Sequence, residues 1–208
     1  MSVDTLGKLF GSNERVKLLK LFLFRGIEPI DKDDIAAFTM IPKAKLTKEL
    51  TLLEKVGFIK KTSFFKPYED KKKGKTVKKR TPGYRVEPQF RFFNPLKQLL
   101  ISTTPISGKE LTTRLNKVGK LSAIIVSGLF LQDSDSIVDL LVVADEVKNK
   151  TFANCIKTLE SEIGTSIRYT LLSTKDFKYR ITMYDRLVRD ILDYQHQVVY
   201  DKIGIENY

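Results

Sequence analysis

The densest chemistry in this sequence is cationic. Lys71, Lys72, Lys73, Lys75, Lys78, Lys79 and Arg80 fall within ten residues, with Gly74 among them. Like charges at that spacing repel one another in water, and a polyanion that neutralises them is the matching partner. If about six of these charges met phosphates, affinity would fall steeply with added salt. A second cationic set, Lys43, Lys45 and Lys48, is interleaved with Ala44, Thr47 and Thr51. Small polar and cationic groups on one helix suit phosphates and base edges. No Arg, Asn or Gln stands between 42 and 56, so bidentate base readout is missing there and only moderate sequence selectivity is expected. Arg80 and Arg85 could supplement it.

These groups need a scaffold, and apolar periodicity supplies one. Ser12 is the expected N-cap of a helix from Asn13 to Phe24, with Val16, Leu19, Phe22 and Leu23 on one face. Gly26 and Pro29 end it. Asp31 caps a short helix from Lys32 to Phe38. Pro42 suits the first position of a third helix running to Val56 and stopped by Gly57. Leu46, Leu50 and Leu53 form its core stripe, and Lys43, Ala44, Lys45, Thr47, Lys48 and Thr51 fall outside it. A strand is expected over 58–65, a polar, flexible basic loop over 67–82, and a returning strand from Gly83 continuing to Phe93. A short helix over 94–101 and a linker over 102–105 follow. This divides the chain into domains 1–104 and 105–208.

Charge divides the same way. Residues 1–105 hold 23 Lys and Arg against 11 Asp and Glu; residues 106–208 hold 14 of each. The whole excess of +12 lies in the first half, which points to one domain that meets a polyanion and one with another task. Hydrophobic residues make up 42%, too many for a disordered chain. No apolar run approaches the roughly 18 residues of a membrane span, and the first residues lack a secretory pattern, so a cytoplasmic protein without membrane partners is expected. One Cys (Cys155) and one His (His196) cannot build a four-ligand zinc site, and no metal or cofactor is expected. Cys155 reads as a core residue and His196 as a lone, non-catalytic histidine. No aromatic platform for base stacking is legible, which favours duplex DNA over RNA.

Three helices followed by a β-hairpin resemble the winged helix-turn-helix of bacterial and archaeal transcriptional regulators. The resemblance lies in RVKLLKLFL, in KAKLTKELTLLEKVGFIKK and in the basic hairpin ending GYRV. It implies that the helix over 42–56 enters the major groove of double-stranded DNA and that the basic wing over 66–85 touches a neighbouring groove or the backbone.

The second half alternates strands and helices: a helix capped by Ser107 and running to Lys117, strands over 122–130, 138–143 and 167–172, a helix over 147–163, two helices over 175–193 and a last short strand over 198–200. The fold class is thus α+β, with a small α/β domain in second place. The segment SAIIVSGLFLQDSDSIVDLLVVAD resembles the minimal nucleotidyltransferase core. That resemblance implies a Gly-Ser pair gripping nucleotide phosphates and three acids holding two divalent metals. Gly128 matches the glycine, but Leu129 replaces the serine. Asp139 matches the second acid, Ile137 stands at the first, and the third would fall near Tyr169 or Thr170, where there is no carboxylate. Asp133 and Asp135 read as turn-forming residues of a polar loop. The expectation is a vestigial nucleotide site at Gly128 and Asp139 without catalysis, in a domain that senses a ligand, dimerises or holds a protein partner through 105–208. A nucleotidyltransferase with a reduced metal site and an antitoxin-like interaction protein are the alternatives.

Overall fold

The computed structural model describes residues 3–70, 75–101, 106–133 and 135–205. The fold is mixed α+β with two separate small sheets. The chain divides into two compact units, one of Val3–Ile101 with Glu160–Thr165, the other of Ser102–Leu159 with Ser166–Tyr208. The expected linker over 102–105 lies outside the described residues. Among those described, no helix is long and apolar enough to cross a membrane.

In the first unit, helices α1 (Val3–Phe10), α2 (Asn13–Arg25), α3 (Lys32–Thr39) and α4 (Lys43–Lys55) precede the strands β1 (Ile59–Asp70) and β2 (Lys75–Val86), and α5 (Phe93–Ile101) closes it. Ser12 caps α2 by accepting from Arg15 N, and Asp31 caps α3 by accepting from Asp33 N and Asp34 N. The expected one-sided face of α2 is corrected. Val16, Leu18, Leu19, Leu21, Phe22 and Leu23 are all buried, because α1 and α5 pack against α2 together with α3 and α4. A helix apolar around most of its circumference is a core helix. Pro42 is the N-cap residue of α4 rather than its first helical residue.

The hairpin departs most from expectation. The residues expected as a loop over 67–82 are largely paired: β1 and β2 run antiparallel from Ile59 opposite Val86 out to Asp70 opposite Lys75. β2 ends at Val86, and Glu87 to Phe93 form turns and the start of α5 instead of continuing the strand. Pro67 and Pro82 sit within the ribbon. A two-stranded ribbon has a free edge on each strand, and there the missing proline N–H costs no ladder bond. Among the described residues, one extends this sheet: Ile30 exchanges backbone hydrogen bonds with Tyr84 (2.9 and 2.8 Å).

In the second unit, α6 (Gly108–Leu115) precedes β3 (Lys120–Val126), a 3-10 turn (Gly128–Phe130), β4 (Leu140–Asp145), α7 (Asn149–Ile163, of which 160–163 fall in the first unit), β5 (Tyr169–Leu172), α8 (Thr174–Thr182), α9 (Arg186–Asp193) and β6 (Gln197–Asp201). The sheet order is β5-β4-β3-β6, with β4 and β5 parallel and the other pairs antiparallel. β4 is buried along its length except at Asp145, so the sheet needs cover on both faces. Ala123, Ile125, Leu141 and Val143 pack with Phe177 of α8 and with Val188 and Ile191 of α9. Phe152 of α7 packs edge-on against Tyr169 of β5 at 5.3 Å.

Candidate nucleic-acid interface

Two elements of the first unit present the cations singled out by the sequence. On α4, Leu46, Leu50 and Leu53 are buried and Lys43, Ala44, Lys45, Thr47, Lys48 and Thr51 are exposed. The buried Glu49 accepts from Arg15 Nε at 2.9 Å, fixing α4 on α2. The exposed face is partly engaged within the chain. Lys43 pairs with Asp33 at 2.8 Å and Lys45 with Glu14 at 2.7 Å, and these bonds raise both ammonium pKa values. Thr47 Oγ1 accepts from Lys32 Nζ at 2.6 Å and donates to Lys43 O; Thr51 Oγ1 donates to Thr47 O. Among the described residues Lys48, between the two threonines, has no such pairing, and Ala44 lies one turn before it. Exposed pairs of this kind contribute little to stability, so a phosphate can take over either lysine at small cost.

The ribbon is the second element. Its pairing fixes which side chains share a face, because directly opposed residues lie on the same side. Lys60, Thr62, Phe64, Lys66 and Tyr68 share one face with Arg85, Gly83, Thr81, Lys79 and Val77; Lys61, Ser63, Phe65 and Pro67 share the other with Tyr84, Pro82, Arg80 and Lys78. Lys66 Nζ binds both Asp31 and Asp34 at 2.6 Å. Those bonds raise its pKa and tie the ribbon to the start of α3. Gly83 is required at this junction: a Cβ there would lie 2.6 Å from Ile30 O and 2.7 Å from the Phe64 ring.

The expected contact residues thus separate into groups. Lys78, Lys79 and Arg80 are exposed on the far half of the ribbon, with Arg80 Nε donating to Ser63 Oγ at 3.0 Å. Lys75 stands opposite Asp70 at the start of β2. Lys71, Lys72 and Lys73 lie outside the described residues. Arg85 is not with them. It sits at the ribbon's base opposite Lys60, half-buried, with Nε buried and unpaired. Sequence reasoning missed Lys66 as an anchor and Phe65 and Tyr68 as exposed aromatics (68% and 55%). The stretch Phe64-Phe65-Lys66-Pro67-Tyr68 holds three aromatics in five residues, a composition that favours a strand continuing past 65 once Pro67 is allowed at a free edge.

In the second unit, Gly128 and Asp139 do come together, but the carboxylate is closed. Asp139 is 2% exposed. Its Oδ1 accepts from Leu129 N at 2.8 Å and Arg168 Nη2 at 2.7 Å; its Oδ2 accepts from Arg168 N at 2.8 Å and Arg168 Nε at 3.0 Å. Four donors match the four lone-pair positions of a carboxylate. Burial works to raise its pKa, but the bonds from Arg168 and Leu129 outweigh burial and hold it below the ordinary carboxylate value. The residue facing Asp139 is thus Arg168, one position before the expected Tyr169 or Thr170. Gly128 has φ +49°, and a Cβ there would lie 2.3 Å from Asp139 Oδ1. The hydroxyl beside Gly128 belongs to Ser127 and donates to Val138 O. Asp133 Oδ1 accepts from Asp135 N at 3.0 Å, a local turn bond. His196 Nδ1 lies 2.9 Å from Tyr194 O, and Cys155 is half-buried on α7. Among the described residues, no group of three or more His, Cys, Asp or Glu is placed to hold a metal ion.

No protein-family model, no curated protein and no solved structure matches this chain.

Proposed function

We propose that this protein binds double-stranded DNA through a winged-helix arrangement in its first unit and acts in the cytoplasm as a transcriptional regulator. α4 is the reading helix and the β1–β2 ribbon the wing. The observation that carries the reading is the ribbon itself, which holds Lys78, Lys79 and Arg80 exposed around its Lys66 anchor. Phosphate contacts supply most of the affinity, and Thr47, Lys48 and Thr51 contribute modest base selectivity. The test is a salt series on a mixed-sequence duplex. If about six ribbon cations meet phosphates, log affinity falls against log salt with a slope of about −5. A variant with residues 71–80 replaced by Gly and Ser should lose most of that slope. No binding by the wild type at low salt would overturn the reading.

We infer further that the second unit is a nucleotidyltransferase-like module that performs no transfer. Arg168 occupies, against Asp139, the place that a metal ion would need. Its remaining roles are ligand sensing, dimerisation or capture of a protein partner. Titration calorimetry with magnesium and nucleoside triphosphates tests this: metal-dependent heat that disappears in Asp139→Ala would revive the enzyme.

A further inference from the structure

The far half of the ribbon carries a group that phosphate contacts alone do not explain. Phe65 is 68% exposed, the most exposed phenylalanine among the described residues. It stands directly opposite Arg80, on a face shared with Lys78, Ser63, Pro67 and Pro82. An apolar ring held in water amid cations gains free energy only when a partner covers it. That partner must tolerate, or require, the positive charge around it. An acidic protein surface could meet the cations, but it would also have to supply a recess for the protruding ring. Nucleic acid joins dense negative charge to flat ring faces, and aromatic–base stacking within a cationic groove is the general mode for single strands. In an intact duplex each base is already covered above and below. A ring on a protruding ribbon finds an open base face only where pairing has ended.

We propose that Phe65 stacks on an unpaired base, so that the protein prefers a junction between duplex and single-stranded DNA to an uninterrupted duplex. The inference rests on the duplex-DNA reading above: α4 engages the paired side and the ribbon face bearing Phe65, Lys78 and Arg80 the unpaired side.

The experiment compares three DNA probes by fluorescence anisotropy: a blunt duplex, the same duplex with an unpaired tail, and the single strand alone. A fluorescent adenine analogue occupies the first unpaired position. The wild type should bind the tailed duplex roughly 5- to 150-fold more tightly than the blunt one, the range for stacking one base, and should quench the analogue. Phe65→Ala should remove both the preference and the quenching while the thermal midpoint stays put, and Phe65→Trp should restore both. A wild type without tail preference, a preference that survives Phe65→Ala, or single-strand binding as tight as the tailed duplex overturns the junction proposal while leaving duplex binding intact. A failure to bind even the blunt duplex at low salt overturns the duplex reading and this inference with it.

Discussion

Asp139 acts as a local brace. Its carboxylate joins the 3-10 turn at Leu129 to the residue before β5, Arg168, through four hydrogen bonds. Asp139→Ala leaves two part-buried backbone N–H groups without their acceptor, and an orphaned donor costs up to about 1–3 kcal/mol. A loss of roughly 2–4 kcal/mol in urea unfolding is expected. Gly128→Ala, which sets a Cβ against Oδ1 at a positive φ, should destabilise the same region. Because the folded carboxyl titrates below its ordinary value, the stability it contributes is fully present above the unfolded pKa of about 3.9 and is lost as pH falls through the folded value. Wild-type stability should therefore drop in that acid range by more than Asp139→Ala stability does. The sequence shows Asp139 and Gly128 as a matched pair. It does not show Arg168 as their partner, because that contact depends on a strand register 29 residues away.

Among the elements of the first unit, α2, α3 and α4 are legible in the sequence, and α1 and the outer half of the ribbon are not. Ser12 and Asp31 announce α2 and α3 by side-chain caps that the structure contains. α1 escaped notice because eight residues interrupted by Gly7 are too few to hold a helix without packing; burial of Leu6 supplies that packing. The strands over 58–65 and from Gly83 are legible at the base of the ribbon, but 67–82 reads as a loop because the outer half has no core and thus no apolar alternation. Past the Lys66 anchor its pairing rests on ladder bonds and cross-strand contacts, and this predicts a gradient of protection. In hydrogen exchange, amides near Ile59 and Val86 should be protected far longer than those of Lys66–Tyr68 and Val77–Lys79. Gly83→Val should erase the Ile30–Tyr84 bridge and shorten protection at the base too. Uniform protection along the ribbon would refute this account.

For the whole molecule, the separation of charge is the main fact. The first 105 residues carry the entire net excess and the remainder is neutral. Duplex DNA should therefore slow exchange at exposed positions of α4 and the ribbon while leaving β3 and β4 unchanged. Protection appearing in β3 or β4 would assign the second unit a share in DNA contact. The neutrality of residues 106–208 also frees that unit from electrostatic attraction to the same polyanion, so a ligand or partner there can be of different chemistry.

The ribbon also works as a ruler. Lys66 is its last anchored residue on β1, and the paired strand continues four residues to Asp70, a projection of about 13 Å at the usual strand rise. That distance is close to the span of four stacked base pairs at about 3.4 Å each. Adding or deleting one opposed pair of residues would change the reach by one graduation of roughly 3.3 Å and invert the phase of everything beyond it. Only changes of two opposed pairs preserve which face each side chain marks. On the proposed DNA-binding reading, length and parity, more than composition, would then set how far along a double helix the ribbon reaches.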